Sequence, residues 1–320
     1  MKDKAFILVT GATGAVGPCI VTALCDAGCR VRTLSIDSPP ASFEAMNVEA
    51  MIGDVTDVSA VHDAMQNVDS VIHLAALLHI ENPPPALKEK YEKINVGGTS
   101  TVIAAAVQAG VRRAVLFSTI AVYGQSGGQI LTEDSRPCPD TFYARTKLDA
   151  ERIVLNAKDN NGERIGTVLR MGAIYGSRIK GNYQRLLQSL AKGRFIPIGD
   201  GSNRRTLVYD KDVANAVLLA IRHPAAAGKI FNVSDGKFHT VNDLISIMCR
   251  VLNRKPPGLK LPVGPVRFAA GLVEDMARLA GIQPPIMRAT IDKYTEDVAV
   301  DSQRIQCELG FVPQYDLSAG

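Results

Sequence analysis

Long apolar runs, paired cysteines and concentrated charge are all missing from these 320 residues. No apolar stretch approaches about 18 residues, which excludes a transmembrane helix. Met1-Lys2-Asp3-Lys4 runs into only five apolar residues before Thr10-Gly11, too few for a signal peptide. The six cysteines (Cys19, Cys25, Cys29, Cys138, Cys249, Cys307) contain no CxxC pair. Without a secretion signal they read as reduced thiols of a cytoplasmic protein. Cys25 and Cys29 stand four apart, but no histidine or further cysteine is near enough to complete a zinc set, so no metal is expected. No basic run exceeds two residues, and 36 basic against 32 acidic side chains leave a net charge of +4. Nucleic acid is therefore not an expected partner.

What is present is an ordinary globular composition, 46% hydrophobic and 21% charged, over a length that allows one large domain or two modest ones. Short apolar strands alternate with helical periods. Residues 5–10, 30–36, 48–52, 70–74 and 113–118 read as strands, with helices predicted over 17–27, 58–66 and 88–109. Near-continuous apolar strands separated by helices predict a doubly wound parallel sheet of the Rossmann type over residues 1–176. After about residue 176 the alternation loosens, and helices are predicted over 183–192, 210–222, 242–252 and 263–279. Residues 177–320 are thus expected to form a smaller, helix-rich substrate cap, interleaved with the sheet around 205–235. No closing element is apparent over 315–320, where a final helix is expected to be missing.

Thr10-Gly11-Ala12-Thr13-Gly14-Ala15-Val16-Gly17 joins the first strand directly to the first helix. The spacing of Gly11, Gly14 and Gly17 suits a tight turn, close approach to a pyrophosphate and close helix–sheet packing. The helix start then offers free N–H groups to the anion. At the end of the second strand the ribose-reading position falls on Ser35, with Asp37 two residues on. Asp37 would bond the ribose and repel a 2′-phosphate, which favours NAD, while Arg30 and Arg32 keep NADP open. Asp54 follows the third strand, where a carboxylate could meet the adenine amino group; Thr56 or Asp57 suits a helix N-cap.

Tyr143-Ala144-Arg145-Thr146-Lys147 opens a helix, and positions four apart share a face. An ammonium beside a phenol favours phenolate, so Lys147 is expected to lower the pKa of Tyr143 and make it an acid/base. Phe117-Ser118-Thr119-Ile120-Ala121-Val122-Tyr123-Gly124 lies at the carboxyl end of the preceding strand, where Thr119 can bond a substrate oxygen.

The glycine turn, His73-Leu74-Ala75-Ala76, Lys93-Ile94-Asn95-Val96-Gly97-Gly98-Thr99, the Thr119 strand end and the YARTK helix together resemble an extended short-chain dehydrogenase/reductase. More narrowly, the chain resembles the NAD(P)-dependent nucleotide-sugar epimerase/dehydratase group, over essentially its whole length. The resemblance implies that Thr119, Tyr143 and Lys147 are catalytic. It implies cofactor contacts from Gly11, Thr13, Gly14, Ala15, Val16, Gly17, Asp37, Asp54, Val55, Leu74, Ala75, Ala76 and Asn95, and from Tyr143 and Lys147 at the nicotinamide ribose. Substrate would meet Thr119, Tyr143 and Asn182, with Arg205 on a nucleotide diphosphate. It also implies a homodimer formed through the helices at 88–109 and 143–157.

The dehydratases of that group carry Asp-Glu after the threonine; here Ile120 and Ala121 cannot transfer protons. Plain hydride chemistry remains, and the expected activity is a UDP-hexose 4-epimerase-like reaction through a 4-keto intermediate. Two departures keep other readings open. Ala173 stands where an asparagine commonly touches the sugar nucleotide, and no arginine-rich motif precedes Asp301-Ser302-Gln303-Arg304. A 4-ketoreductase, or an oxidoreductase resembling 3β-hydroxysteroid dehydrogenases with residues 263–279 walling an apolar pocket, is the alternative. A non-catalytic dinucleotide sensor is the alternative from another class.

Overall fold

The computed structural model describes residues 4–78, 80, 84–176, 178–179, 181–284 and 287–318. Residues 1–3 and 319–320, which the sequence reading touched at the two chain ends, lie outside them. Seven strands form one parallel sheet: β1 (Phe6–Thr10), β2 (Arg30–Ser35), β3 (Glu49–Ile52), β4 (Ser70–His73), β5 (Arg113–Thr119), β7 (Gly166–Met171) and β11 (Ile230–Val233). Their spatial order is β11-β7-β5-β4-β1-β2-β3. The other strands make three small pairs: β6 (Ile130–Leu131) with β13 (Ala299–Val300), β8 (Ala173–Tyr175) with β10 (Leu207–Tyr209), and β9 (Arg204–Arg205) with β12 (His239–Thr240).

Alternation along β1 explains the layering. Ile7 and Val9 point into one core, and Phe6 and Leu8 into the other. The first core is closed by α1 (Gly17–Asp26), α8 (Asp210–Arg222) and α12 (Gln303–Leu309), through Ile20, Leu24, Val213, Val217, Ile305 and Leu309. The short α2 (Ala41–Ala45) adds Phe43 to it. The second core is closed by α3 (Val58–Met65), α5 (Gly98–Gln108) and α6 (Phe142–Leu155), through Val61, Met65, Val102, Ile103 and Val154. Both faces of the sheet are thus covered, as the apolar strands demand. The chain leaves β1 toward β2 and β3, then returns to β4 on the other flank of β1. That reversal opens a crevice at the carboxyl ends of β1 and β4, where doubly wound sheets bind ligands.

The predicted helix over 88–109 is not uniform. It is α4 (Pro85–Tyr91), a π-helical turn over Glu92–Gly97, and then α5. The segment Leu169–Gly176 also divides: β7 ends at Met171 and β8 starts at Ala173. A Cβ on Gly172 between them would lie 3.0 Å from the Thr206 carbonyl oxygen and 3.2 Å from that of Val233. Beyond the sheet, α7 (Asn182–Ala191) and α9 (Val241–Val251) share a small core of Leu190, Val241, Ile245 and Cys249. Two further helices, α10 (Val263–Leu279) and α11 (Arg288–Thr295), complete this helix-rich part. The second half of the chain supplies β11, α8 and α12 to the sheet layers as well.

Candidate active site

The crevice begins at the glycine turn. Gly11 has φ +69°, a conformation that favours glycine, and a Cβ there would lie 2.6 Å from the Ala75 nitrogen. A Cβ on Gly17 would lie 2.1 Å from the Ala12 carbonyl oxygen. The turn is therefore pressed against Leu74-Ala75 on one side and against its own helix on the other. No side chain caps α1 at Val16, whereas Asp57 caps α3 and Thr141 caps α6. An uncapped helix start with no side chain in its way leaves first-turn N–H donors for an anion. The backbone N–H of Thr13 is directed to Ser35 Oγ at 3.4 Å, which ties the turn to the end of β2.

At that end of β2 Asp37 is exposed. Arg30 and Arg32, which kept NADP open in the sequence, sit at the other end of the strand. Both pair with Glu49 at 2.8 Å and stack on the Phe6 ring. Arg32 also donates to the carbonyls of Ala64 and Gln66. Neither guanidinium is left for a 2′-phosphate. Asp54 is exposed and accepts the Thr56 N–H at 2.9 Å, Val55 is buried beside it, and Asp57 is the N-cap. These features fit an unphosphorylated adenosine ribose and a pyrophosphate.

A buried hydrogen-bond chain connects this turn to α6. Thr10 Oγ1 is 2.7 Å from His73 Nδ1, and His73 Nε2 is 3.0 Å from Thr99 Oγ1. Thr99 donates to the Asn95 carbonyl at 2.6 Å, so the neutral imidazole donates from Nε2 and accepts at Nδ1. Burial, with the charge of Lys147, pushes His73 down to about 3, which keeps it neutral. Asn95 sits in the π turn, a distortion that recurs at functional sites. Its side chain accepts the Leu77 N–H at 2.7 Å and donates to Thr146 Oγ1 at 3.1 Å. Asn95 thus clamps the strand-end loop onto α6.

Tyr143 and Lys147 lie on one face of α6, with Glu151 one turn further on. The expected electrostatics differ, however. Burial pushes Tyr143 up to about 12, helped by the neighbouring Tyr91, whose ring centroid is 6.4 Å away. Burial pushes Lys147 down to about 8, opposed by Glu151. Desolvation is the leading cause of both shifts, so the phenol is held neutral. Glu151 is itself held in a buried ion pair with Arg170 at 2.7 Å and accepts a hydrogen bond from Ser118. Arg170 stacks on Tyr123, whose hydroxyl donates to Asn232 at 2.8 Å.

Thr119 ends β5 half-buried, and its hydroxyl accepts the Ala121 N–H at 3.2 Å. A cavity of about 640 Å³ opens beside Tyr143, bounded by Tyr91, Phe142 and Lys88 on one side and by Ala289, Thr290 and Lys293 of α11 on the other. Of the expected site residues, only Tyr143 lines it among the described residues. Arg205 is engaged elsewhere. Its guanidinium donates to the carbonyls of Tyr294 at 2.7 Å, Lys293 at 3.1 Å and Glu296, closing the carboxyl end of α11. Asn182 is the exposed first residue of α7. Sequence spacing missed Tyr91 and the His73 chain, since both depend on which elements pack together. It missed Glu151 as well, although the place of that residue four beyond Lys147 offered a signal.

The model of the NAD dependent epimerase/dehydratase family matches residues 7–234. The chain belongs to that family. It is accordingly an NAD-dependent enzyme of the extended short-chain dehydrogenase/reductase type. It is 28% identical to the N-acetyl-alpha-D-glucosaminyl-diphospho-ditrans,octacis-undecaprenol 4-epimerase of Escherichia coli O157:H7, over 100% of this chain and 93% of that protein. It is also 28% identical to the UDP-glucose 4-epimerase of Vibrio cholerae, over 98% of this chain and 92% of that protein. Among solved structures it resembles MoeE5 in complex with UDP-glucose and NAD, with a TM-score of 0.76 and 26% identity. That likeness covers 99% of this chain and 96% of the other.

Proposed function

We propose that this family member is a 4-epimerase of a diphosphate-linked hexose, oxidising and re-reducing one sugar carbinol through a 4-keto intermediate. The observation that carries the reading is the composition of the site: Tyr143 is a half-buried phenol at the cavity wall, while Ile120 and Ala121 give the strand end no second proton-transferring group. Such a site can move one proton at one oxygen. When bound, NAD supplies the hydride acceptor and donor. Tyr143 takes the carbinol proton and returns it, Thr119 bonds the same oxygen, and Lys147 holds the ribose hydroxyls. Gly11, Gly14 and Gly17 hold the pyrophosphate, and Asp37 the ribose of NAD rather than NADP.

Two 4-epimerases among the relatives act on hexoses joined to a diphosphate and differ beyond it, in uridine or undecaprenol. That supports defining the substrate at the diphosphate-linked sugar. UDP-glucose, UDP-galactose and their N-acetyl counterparts are the first substrates to test, followed by proton NMR without added cofactor. Interconversion is expected, and Tyr143→Phe should lower kcat by about 10²–10⁴-fold while NAD binding persists. Undiminished turnover in that variant would sink the mechanism. Stoichiometric consumption of added NADH would assign a ketoreductase instead.

A further inference from the structure

Helix α10 turns the usual order of an amphipathic helix inside out. Its buried face is made of Ala270, Gly271, Glu274 and Ala277. Its large apolar side chains face outward: Phe268, Leu272, Met276 and Leu279 are 49% to 90% exposed. Residues 268, 272, 276 and 279 are spaced by four, four and three, so they form one continuous stripe along the helix. Just beyond its carboxyl end Ile282 is exposed too. A globular protein gains nothing from this placement in water, because each of these side chains stays wet when the chain folds. Contiguous exposed apolar surface of this kind marks an interaction site.

We propose that α10 is a docking helix for an anionic lipid surface. Charge selects that occupant. Residues 250–293 carry eight Lys or Arg against three Asp or Glu, so this segment alone is more positive than the chain's net +4. An apolar stripe within a net basic segment is the pattern that lies in a bilayer interface, apolar side down and basic charge among the headgroups. The same charge opposes a second copy, since a two-fold interface would bring this basic segment against itself.

Arg267 and Arg278 flank the stripe and are fixed by ion pairs, with Asp292 at 2.6 Å and with Glu274. Arg288 pairs with Asp275 at 2.5 Å. The pairs Arg267–Asp292 and Arg288–Asp275 join α10 to α11, whose Ala289, Thr290 and Lys293 wall the cavity beside Tyr143. Packed helices lie about 8–10 Å apart, so docking would hold that wall one helix layer from the headgroups. If the substrate is the diphosphate-linked hexose proposed above, an apolar carrier on the diphosphate could remain in the bilayer while the sugar reaches the site. The docking itself does not rest on that reading.

The chain has no tryptophan, so Phe268→Trp gives an emission signal from α10 alone. With vesicles of equal parts phosphatidylglycerol and phosphatidylcholine, its emission should shift to the blue and be quenched by lipids brominated in the acyl chains. Co-sedimentation of the unlabelled protein should fall about tenfold or more for Leu272→Glu and for Leu279→Glu, and likewise for vesicles of phosphatidylcholine alone. Both positions are exposed, so the melting temperature and NAD binding of these variants should match the parent protein. An unshifted emission, or sedimentation unaffected by either substitution, overturns the proposal. So does a concentration-dependent dimer that Leu279→Glu abolishes without any vesicle binding, which would assign the stripe to a second copy. Docking is read here without turnover, so its failure leaves the epimerase reading standing, and a failed sugar assay leaves docking standing.

Discussion

Lys147 is held where its charge is unfavourable. Its ammonium loses the proton near pH 8 in the folded protein, against 10.5 for the free side chain. Between those values the folded state binds fewer protons than the unfolded chain, so stability rises with pH across that window. Below about pH 8 the full penalty is present, on the order of 3 kcal/mol as an upper figure. Lys147→Met should therefore raise the melting temperature at pH 7 while abolishing turnover, and the gain should fade between pH 8 and 10.5. Calorimetry of both proteins across that range checks this; a lower melting temperature for the variant at pH 7 would contradict it.

At the scale of elements, α9 starts on a side-chain cap where α1 does not. Thr240 and Asp243 form a reciprocal capping box at the start of α9, with the Asp243 carboxylate 2.8 Å from the Thr240 N–H and Thr240 Oγ1 3.1 Å from the Asp243 N–H. Thr240→Ala should cost about 1 kcal/mol in urea unfolding and leave NAD affinity unchanged. Helix α1 has no such box, and in the proposed function its open start receives the pyrophosphate. Helix boundaries of this kind were legible in the sequence: residues 210–222 and 263–279 fold as helices with the expected limits. Strands β7 and β11 were not, because each carries a buried polar residue that breaks its apolar run. Arg170 in β7 is paired with Glu151, and Asn232 in β11 is bonded to Tyr123 and to the Asp301 carbonyl. Their partners are distant in sequence, and no local pattern announces them. The π turn was hidden for a similar reason, since 3.6-residue periodicity continues through it. At the site, i,i+4 spacing placed Tyr143 beside Lys147. It could not reveal that burial would set their pKa values, or that Arg205 would close α11.

Across the whole molecule, cofactor and substrate layers are not separable lengths of chain. Strand β11 comes from residues 230–233 and covers β7, whose six residues are all buried. A fragment of residues 1–176 would leave the edge of β7 open, apolar and without charged relief except Arg170. That edge is a template for pairing with another chain. The fragment should be recovered as aggregate where the full chain is soluble, measured by light scattering after refolding; a soluble monomeric fragment would show that the edge is covered another way.

The same strand order has a consequence during synthesis. A ribosome adds roughly 5–20 residues per second, so β7 emerges about 3–12 s before the roughly 60 later residues that include β11. For that interval the nascent protein holds most of its cofactor-binding sheet with one flank unprotected. Whatever shields it then, a chaperone or the ribosome surface, must release the edge to β11 in time, and slow translation between residues 171 and 230 would lengthen the exposure.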